Sequence, residues 1–275
     1  MPALSETEYA EFVRFVLQLT GIVLDDGKRY LVETRIGPIL ETQKIPGYSR
    51  LLEQAKSNIS LQGKIIDAIT TNETFFFREP GAYDLFRRRL MPKVLDQRTE
   101  AKSKDPMRVW SAACSSGQEM YSLVISALEL IGNLAFGRIT FDGTDISEQI
   151  LSRASSGLYS SFEISRGMPP NLLSKYFTKT ADSYKISDIV RGMCRFNKAN
   201  LLHPPMMTQR YDVIFCRNVS IYFSPQERSI LFHNLAKNLV VGGALVVGST
   251  EQVRDCDDVF RLSTDFSSCY YYQRI

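Results

Sequence analysis

Histidine and tryptophan are scarce in this sequence, and its cysteines are not paired. The few histidines and scattered cysteines argue against a metal site. The 275 residues include two histidines, one tryptophan and five cysteines. A zinc site needs several closely spaced cysteine or histidine ligands, so we expect no metal site. Free thiols in a reducing cytosol are the expected state of these cysteines. They are scattered and never form a Cys-x-x-Cys pair: Cys114, Cys194, Cys216, Cys256 and Cys269.

The sequence also lacks a strong charge excess and a long apolar run. Its 33 basic and 30 acidic residues leave a formal net charge of +3. This balance argues against a general nucleic-acid-binding protein, whose domains usually carry a clear basic excess. No apolar run is long enough to cross a bilayer, and the N-terminal stretch lacks the basic and apolar regions of a signal peptide. We therefore expect a cytoplasmic protein with neither nucleic-acid binding nor membrane insertion.

The first ninety residues carry helical patterns. Ser5 and Glu8 form a capping-box pair, and apolar residues then recur on one helical face. A second helix should run from Asp26 towards Ile36 and end or kink at the Gly-Pro pair that follows. Two further helical patterns come next, and nothing alternates like a strand. We predict an N-terminal helical domain over residues 1–90.

Beyond residue 90, short apolar runs alternate with helical patterns. Such alternation predicts an α/β fold with a mostly parallel sheet that helices cover on both faces. We assign this domain to residues 91–275. The rhythm breaks at about residues 157–196, where a short helical pattern precedes an alternating, hairpin-like one. We predict a small antiparallel β insertion there.

The first predicted strand leads into the small-residue sequence SAACSSGQE at residues 111–119. Small side chains let a ligand approach the backbone closely. The single glycine of this sequence fits neither the dinucleotide-binding nor the P-loop phosphate motif. Glu119 also places a negative charge where a diphosphate would lie, which favours a cofactor with a cationic or hydroxylated part. A tight strand-to-helix turn that binds nothing is the alternative.

Asp145 follows the second predicted strand, at the edge where open α/β sheets bind ligands. A carboxylate there can accept hydrogen bonds from both hydroxyl groups of a ribose, although an aspartate that begins the next helix is the alternative. Further on, Asn200 can hydrogen-bond an adenine edge while Leu201 packs on the ring. These residues favour a nucleoside cofactor without a diphosphate, and S-adenosylmethionine fits that description.

Polar residues also follow the apolar run YDVIFC at residues 211–216. Arg217 and Asn218 come directly after it, and Tyr222 falls on the same edge. Because polar groups at the end of a buried strand need partners, they are candidates for the ligand site. A turn that satisfies its own polar groups is the alternative.

Five segments occur in an order that resembles a known enzyme family. Together they resemble the chemotaxis receptor methyltransferases of the CheR type, over nearly the whole chain. The resemblance implies a class I, Rossmann-like S-adenosylmethionine-dependent fold and methyl transfer to glutamate side chains of chemoreceptors, with S-adenosylhomocysteine as product. The segments are TTNETFFFRE, WSAACSSGQEMYSL, TDIS, NLL and FCRNVSIYF, at residues 70–79, 110–123, 144–147, 200–202 and 215–223.

The resemblance also implies the site residues. Arg78 and Tyr222 would lie nearest the transferred methyl group and would be the catalytic residues. The three phenylalanines at residues 75–77 would pack where the two domains meet and form a wall of the cofactor pocket. The implied cofactor contacts are Asn72, Thr74, Arg78, Glu119, Asp145, Asn200, Leu201, Arg217 and Asn218.

The implied partner is the cytoplasmic helical region of a transmembrane chemoreceptor, and we expect the protein to be a monomer. Lys28, Arg29 and Arg35 can share one helix and meet an acidic receptor helix, while a solvated helix face is the alternative. The β insertion resembles the receptor-tethering subdomain of the family. Its hairpin around residues 180–183 is short and lacks glycine, which argues against tethering of a receptor peptide here.

Two other functions are compatible with these residues. The chain could bind S-adenosylmethionine as a signalling module without turnover, or it could methylate another protein or a small molecule. Transfer of a labelled methyl group to receptors distinguishes all three.

Overall fold

A central sheet organises the computed structural model, which describes residues 4–204 and 209–275. Residues 1–3 of the N-terminal stretch considered above lie outside the described residues. The strands are β1 (Met107–Ala112), β2 (Ile139–Asp145), β3 (Leu158–Ser160), β4 (Phe177–Lys179), β5 (Ser183–Ile186), β6 (Cys194–Lys198), β7 (Tyr211–Cys216), β8 (Leu239–Val247), β9 (Phe260–Ser263) and β10 (Tyr271–Arg274).

The central sheet has seven strands in the order β6-β2-β1-β7-β8-β10-β9. The first five in this order are parallel, and β10 runs antiparallel to both β8 and β9. In the register, Val109 of β1 lies between Phe141 and Val213 on the neighbouring strands. The mostly parallel sheet is therefore confirmed, and the carboxyl ends of five strands meet at one edge.

Helices account for most of the remaining chain. Among those in the described residues, none combines the length and apolar character that a membrane crossing requires. The helices are α1 (Glu6–Thr20), α2 (Arg29–Thr42), α3 (Tyr48–Ala55), α4 (Ile59–Ile69), α5 (Pro80–Leu85), α6 (Met91–Glu100), α7 (Gln118–Ile131), α8 (Glu148–Ser156), α9 (Ser161–Ser165), α10 (Pro170–Tyr176), α11 (Asp188–Gly192) and α12 (Pro225–Asn238).

The N-terminal helices follow their sequence signals with one exception. The Ser5 side chain accepts a hydrogen bond from the Glu8 amide, and the Glu8 carboxylate accepts one from the Ser5 amide, so the capping box is confirmed. α2 begins at Arg29, after a short 3-10 helix over Asp26–Lys28, and it does not end at the Gly-Pro pair but continues through Pro38 to Thr42. Both Ile36 and Leu40 are buried on either side of the proline. Packing on both sides thus outweighs the backbone hydrogen bond that proline removes.

α1 to α4 enclose an apolar core of their own, which includes Phe12, Val16 and Leu51. The helical stretch from α5 to α6 instead packs on the sheet. Phe86 within it meets Phe141 and Phe215 at ring distances of 6.4 and 5.9 Å. The domain boundary at residue 90 stays a prediction.

A separate antiparallel sheet in the order β3-β5-β4 confirms the predicted β insertion. The hairpin-like sequence pattern extended to about residue 196, but Cys194 already pairs with Phe141 as the first residue of β6 in the central sheet. β6 lies at the sheet edge, and most of its residues are exposed or half-buried. A partly exposed edge strand has a polar pattern that resembles a hairpin strand.

Candidate functional site

A cavity opens at the carboxyl ends of β1, β2 and β7, where α/β sheets bind ligands. It encloses about 1210 Å³ of space between atoms, its open mouth included. The buried or nearly buried residues Glu119, Asp145 and Arg217 form what we name the inner end, and the partly exposed lining residues form the mouth. All of the implied site residues line this cavity: Asn72, Thr74, Arg78, Glu119, Asp145, Asn200, Leu201, Arg217, Asn218 and Tyr222. Their roles stay predictions.

The loop after β1 bends sharply where it lines the cavity. Ala113, Ser115 and Gly117 have φ values of 63°, 49° and 90°. The left-handed backbone conformation of Ala113 and Ser115 costs about 1–3 kcal/mol for each residue. A hydrogen bond from the Ser115 amide to the Asp145 carboxylate, 2.9 Å long, helps to hold the loop. At Gly117 a Cβ atom would also lie 3.1 Å from the Cβ of Ala154, which is a tight approach.

Asp145 ends β2 inside the cavity and is 6% exposed. Its carboxylate accepts hydrogen bonds from the amides of Ser115 and Ser147, at 2.9 and 3.0 Å. Burial raises the pKa of Asp145, and these amide donors offset the rise only in part. No basic side chain of the described residues forms an ion pair with it within 4.0 Å. The carboxylate therefore keeps acceptor capacity for hydroxyl donors of a ligand.

Arg217, directly after β7, is the centre of a buried charge cluster. Its side chain is 1% exposed, and its guanidinium meets Glu119 at 2.8 Å and Glu79 at 3.1 Å. It also donates to the Tyr83 hydroxyl and to the carbonyl of Arg78. One guanidinium against two carboxylates leaves a formal charge of −1, and Glu119 contributes to this charge from the first turn of α7.

The same cluster contains a donor without a partner. The Nε–H of Arg217 is buried and has no hydrogen-bond partner in the described part of the chain. Burial of an unpaired donor is costly, so a ligand acceptor beside it would gain affinity. A ligand with a cationic group and an anionic group matches both the negative cluster and the free donor. The amino-acid part of S-adenosylmethionine has this composition.

Two acids of this region were not singled out from the sequence. Glu79, which contacts Arg217, has a φ of 57° and is the N-cap residue directly before α5. Burial acts to raise its pKa, but the charge and hydrogen bonds of Arg217 leave that pKa lowered. Glu251 is 7% exposed and accepts backbone hydrogen bonds from Asn218 and Val219, among others. Glu251 follows β8. The rule that α/β sheets bind ligands at the carboxyl ends of strands, which pointed to Asp145, would therefore also have pointed to Glu251.

Asn200 and Asn72 hold neighbouring loops while they line the cavity. The Asn200 amide donates to the carbonyl of Leu19 near the end of α1, at 3.2 Å. Its oxygen accepts a hydrogen bond from the Leu202 amide at 2.9 Å. The Asn72 carbonyl accepts one from the Ser115 hydroxyl at 3.1 Å. Helical and sheet segments are thus bonded to each other around the cavity.

Arg78 and Tyr222 lie at the mouth. Burial raises the pKa of Tyr222, and the charge of Arg78 acts in the opposite direction, so the two groups are close enough to interact. Arg78 donates from Nη1 to the carbonyl of Glu73 at 3.0 Å. Its guanidinium carbon lies 5.6 Å from the centre of the Phe75 ring. The two side chains implied to be catalytic therefore line the same partly exposed mouth, where the charge of Arg78 acts on Tyr222.

The three phenylalanines at residues 75–77 are not among the described side chains that line the cavity, so the expected aromatic wall is wrong. Residues 70–79 form no regular helix before α5, and Phe77 has a φ of 53°. The resulting turn directs Phe76 away from the cavity and into the apolar core. There it packs edge-on against Tyr159 and Phe177, at 4.9 and 5.5 Å.

The three basic residues predicted to meet a receptor each contact their own chain. Lys28 lines the cavity and pairs with Asp25 at 3.4 Å. Arg29 donates to the carbonyl of Leu4. Arg35 donates from Nη1 to three carbonyl oxygens at the end of α4, at 3.1 to 3.3 Å. Arg35 thereby holds the helix that leads into the cavity wall, and receptor contact by the three residues stays a prediction.

Two family models match this chain. The one described as "CheR methyltransferase, SAM binding domain" matches residues 72–267, and "CheR methyltransferase, all-alpha domain" matches residues 7–70. The chain is 36% identical over 266 residues to a chemotaxis protein methyltransferase of Vibrio anguillarum. It is 34% and 31% identical, over 264 residues, to proteins named chemotaxis protein methyltransferase 1 of Vibrio cholerae and Pseudomonas aeruginosa. Each alignment covers 94% of this chain and 94% of the relative.

Proposed function

This chain belongs to the CheR methyltransferase family, and we propose that it transfers methyl groups from S-adenosylmethionine to glutamate side chains of transmembrane chemoreceptors. The products are glutamate methyl esters, which adjust receptor signalling during sensory adaptation, and S-adenosylhomocysteine. One observation carries the proposal: a single cavity joins an acidic, buried inner end to a mouth that carries Arg78 and Tyr222. A cationic cofactor suits the first region, and a carboxylate substrate suits the second.

The inner end provides complementary groups for each part of the cofactor. Asp145 would accept hydrogen bonds from ribose hydroxyl groups, while Asn200 and Leu201 would bind the adenine. The Arg217 Nε–H would donate to the cofactor carboxylate, and the net negative charge of the Arg217 cluster would attract its amino group. When bound, S-adenosylmethionine supplies a methyl group attached to a positively charged sulfur.

The substrate side needs orientation more than base catalysis. A glutamate carboxylate is ionised at neutral pH, so no group has to remove a proton from it. Arg78 would bind both carboxylate oxygens through its planar fork of donors. The raised pKa of Tyr222 keeps its hydroxyl protonated, so that it can donate a hydrogen bond beside the reacting oxygen. Holding the carboxylate in line with the methyl group can lower the barrier by about 7–11 kcal/mol in well-oriented systems.

The proposal extends to the partner and the location. We place the enzyme in the cytoplasm, as a monomer without a metal ion, acting on the cytoplasmic helices of a chemoreceptor. The relatives are named chemotaxis protein methyltransferases, which supports this choice of pathway. Lys28 and Arg78 at the mouth would favour approach of an acidic receptor surface.

Methyl transfer to receptor-rich membranes tests the function directly. With tritiated S-adenosylmethionine, we expect label on receptors that mild base releases, as it does for carboxyl methyl esters. Arg78→Ala should lower kcat about 100-fold, the scale for loss of one donor that acts in the transition state. Tyr222→Phe should also lower kcat, and Arg88→Ala, at an exposed position, should leave it unchanged.

Each contrary result has a specific meaning. Cofactor binding in calorimetry without any label would replace the enzyme by a signalling module. Label on small molecules or on other proteins alone would identify a different methyltransferase. Wild-type rates in both Arg78→Ala and Tyr222→Phe would remove these two residues from the catalytic role.

A further inference from the structure

Glu73, Phe75, Arg78 and Arg166 form a connected cluster at the mouth, which we name the arginine stack. The guanidinium carbons of Arg166 and Arg78 lie 4.9 and 5.6 Å from the centre of the Phe75 ring. Both distances fall within the range of cation–π attraction, which extends to about 6 Å. Glu73 joins the same two arginines, because its carboxylate accepts from Arg166 at 2.7 Å and its carbonyl accepts from Arg78 at 3.0 Å.

The segment that carries Arg166 is packed against the backbone of the aromatic block. At Gly167, a Cβ atom would lie 2.1 Å from the carbonyl oxygen of Phe76, so this contact leaves room for glycine only. Ile164 and Met168, on either side, are buried in the same apolar core as Phe76. The backbone beside Arg166 is therefore anchored on both sides, which fixes the point from which its side chain extends.

Arg166 itself does not line the cavity, whereas Arg78 does. Its side chain is 32% exposed and is used in the ion pair with Glu73 and the contact with Phe75. It also lies 5.9 Å from the ring of Phe162. Arg166 therefore reaches the mouth only through Glu73 and Phe75, the two residues that also hold Arg78.

We propose that Arg166 is a positioning residue for methyl transfer, which orients the Arg78 guanidinium through Phe75 and Glu73. A long arginine side chain loses conformational entropy when it binds a substrate. The arginine stack already restricts the Arg78 side chain in the folded enzyme. Less conformational entropy is therefore lost when the glutamate carboxylate binds. The two guanidiniums and one carboxylate of the stack also leave a positive charge for that carboxylate. This inference rests on the proposed function, because it assumes that Arg78 binds the substrate.

A double-mutant cycle tests the proposal. We expect Arg166→Ala to lower kcat for receptor methylation about tenfold, the size expected from loss of a partly desolvated cation–π contact. Calorimetric affinity for S-adenosylhomocysteine should not change. Arg166→Lys should recover part of the rate, because it retains the positive charge. In an Arg78→Ala background, Arg166→Ala should have little further effect, since the group that it positions is absent.

Arg153→Ala is the matched control, because Arg153 also forms a surface ion pair in this region, with Glu163 at 2.7 Å. It should methylate receptors at the wild-type rate. Hydrogen exchange gives a readout without turnover: the peptide over residues 70–79 should exchange faster in Arg166→Ala than in wild type or Arg153→Ala. Unchanged exchange in that peptide would contradict the proposal.

Two outcomes of the rate measurements separate this inference from the proposed function. A wild-type rate in Arg166→Ala, or an equal loss with and without Arg78, shows that Arg166 does not position Arg78. If wild-type protein transfers no base-labile label to receptors, the proposed function fails and the positioning role fails with it. The exchange measurement then still reports whether Arg166 orders the segment.

Discussion

Asp145 at the inner end and Glu73 at the mouth are both acids, but their pKa values are shifted in opposite directions. Burial raises the pKa of Asp145, with partial compensation by backbone amides. A hydrogen bond from Arg166 and its charge lower the pKa of the largely exposed Glu73. The inner end thus holds negative charge away from water, while the mouth pairs its charges in contact with solvent. Changes at the inner end should therefore act on stability and cofactor affinity, and changes at the mouth should reduce the rate of methyl transfer.

Arg217→Ala should have the largest effect on stability. It would leave the nearly buried Glu119 and the partly exposed Glu79 close together without their shared cation, which costs about 3–5 kcal/mol. Arg89→Ala removes an arginine from an exposed ion pair with Asp265 and should cost less than about 1 kcal/mol. Urea unfolding of both variants measures the difference, and equal losses would show that burial does not distinguish the two sites.

Asp145→Asn should weaken S-adenosylmethionine binding by about 10- to 100-fold, because it removes a charged hydrogen-bond acceptor. Asp142→Asn is the matched control: Asp142 lies on the same strand and is similarly buried, but it does not line the cavity. Calorimetry with both variants checks the prediction. An equal loss of affinity would mean that any change in β2 disturbs the cavity.

The pH dependence of stability tests the raised pKa of Asp145. Its pKa is raised on folding, so the unfolded carboxyl loses its proton first as the pH rises. The stability contributed by the protonated form is therefore complete below the ordinary pKa of 3.8 and is lost as the pH rises through the folded value. Asp145→Asn should lack this decline when urea unfolding is measured across that range.

Arg35→Ala should have an intermediate effect, because Arg35 holds the end of α4 that leads to both regions. Loss of its hydrogen bonds to three carbonyl oxygens should cost about 1–2 kcal/mol. It should also weaken cofactor binding, since the wall at Thr70 and Asn72 loses support. Arg50→Ala, in an exposed pair with Glu53, serves as control in thermal unfolding and calorimetry. If Arg35→Ala changes receptor affinity alone, the residue faces the partner instead.

The smallest effect concerns the titration of Glu73. In Arg166→Gln, we expect the pKa of Glu73 to rise towards 4.5, because Arg166 is the main cause of its lowering. A lowered pKa contributes stability above the unfolded value and loses it as the pH falls. Carboxyl carbon shifts in an NMR titration measure this directly. A lowered pKa that persists in the variant would mean that Arg78 or another group controls Glu73.

Local sequence patterns predicted the helices and strands better than they predicted which distant side chains are in contact. The capping box of Ser5 and Glu8 begins α1 as its pattern indicates. β7 matches the predicted strand over residues 211–216, and the rule that ligands bind at the carboxyl ends of strands pointed to Asp145, Arg217 and Asn218, which line the cavity. The aromatic block was misplaced because the positive φ angles at Phe77 and Glu79 reverse the chain there. A sequence window carries no sign of such a turn in non-glycine residues.

The sequence by itself determined the helix caps, the alternation of strands and helices and the polar residues at strand ends. These features depend on neighbours along the chain and on the rule that parallel strands end at one edge. Only the tertiary structure decided that Arg217 pairs with both Glu79 and Glu119, that Arg35 supports α4, and that Arg166 contacts Glu73 and Phe75. The reason is physical: each of these contacts joins distant segments, and packing of the whole chain sets their distance and burial.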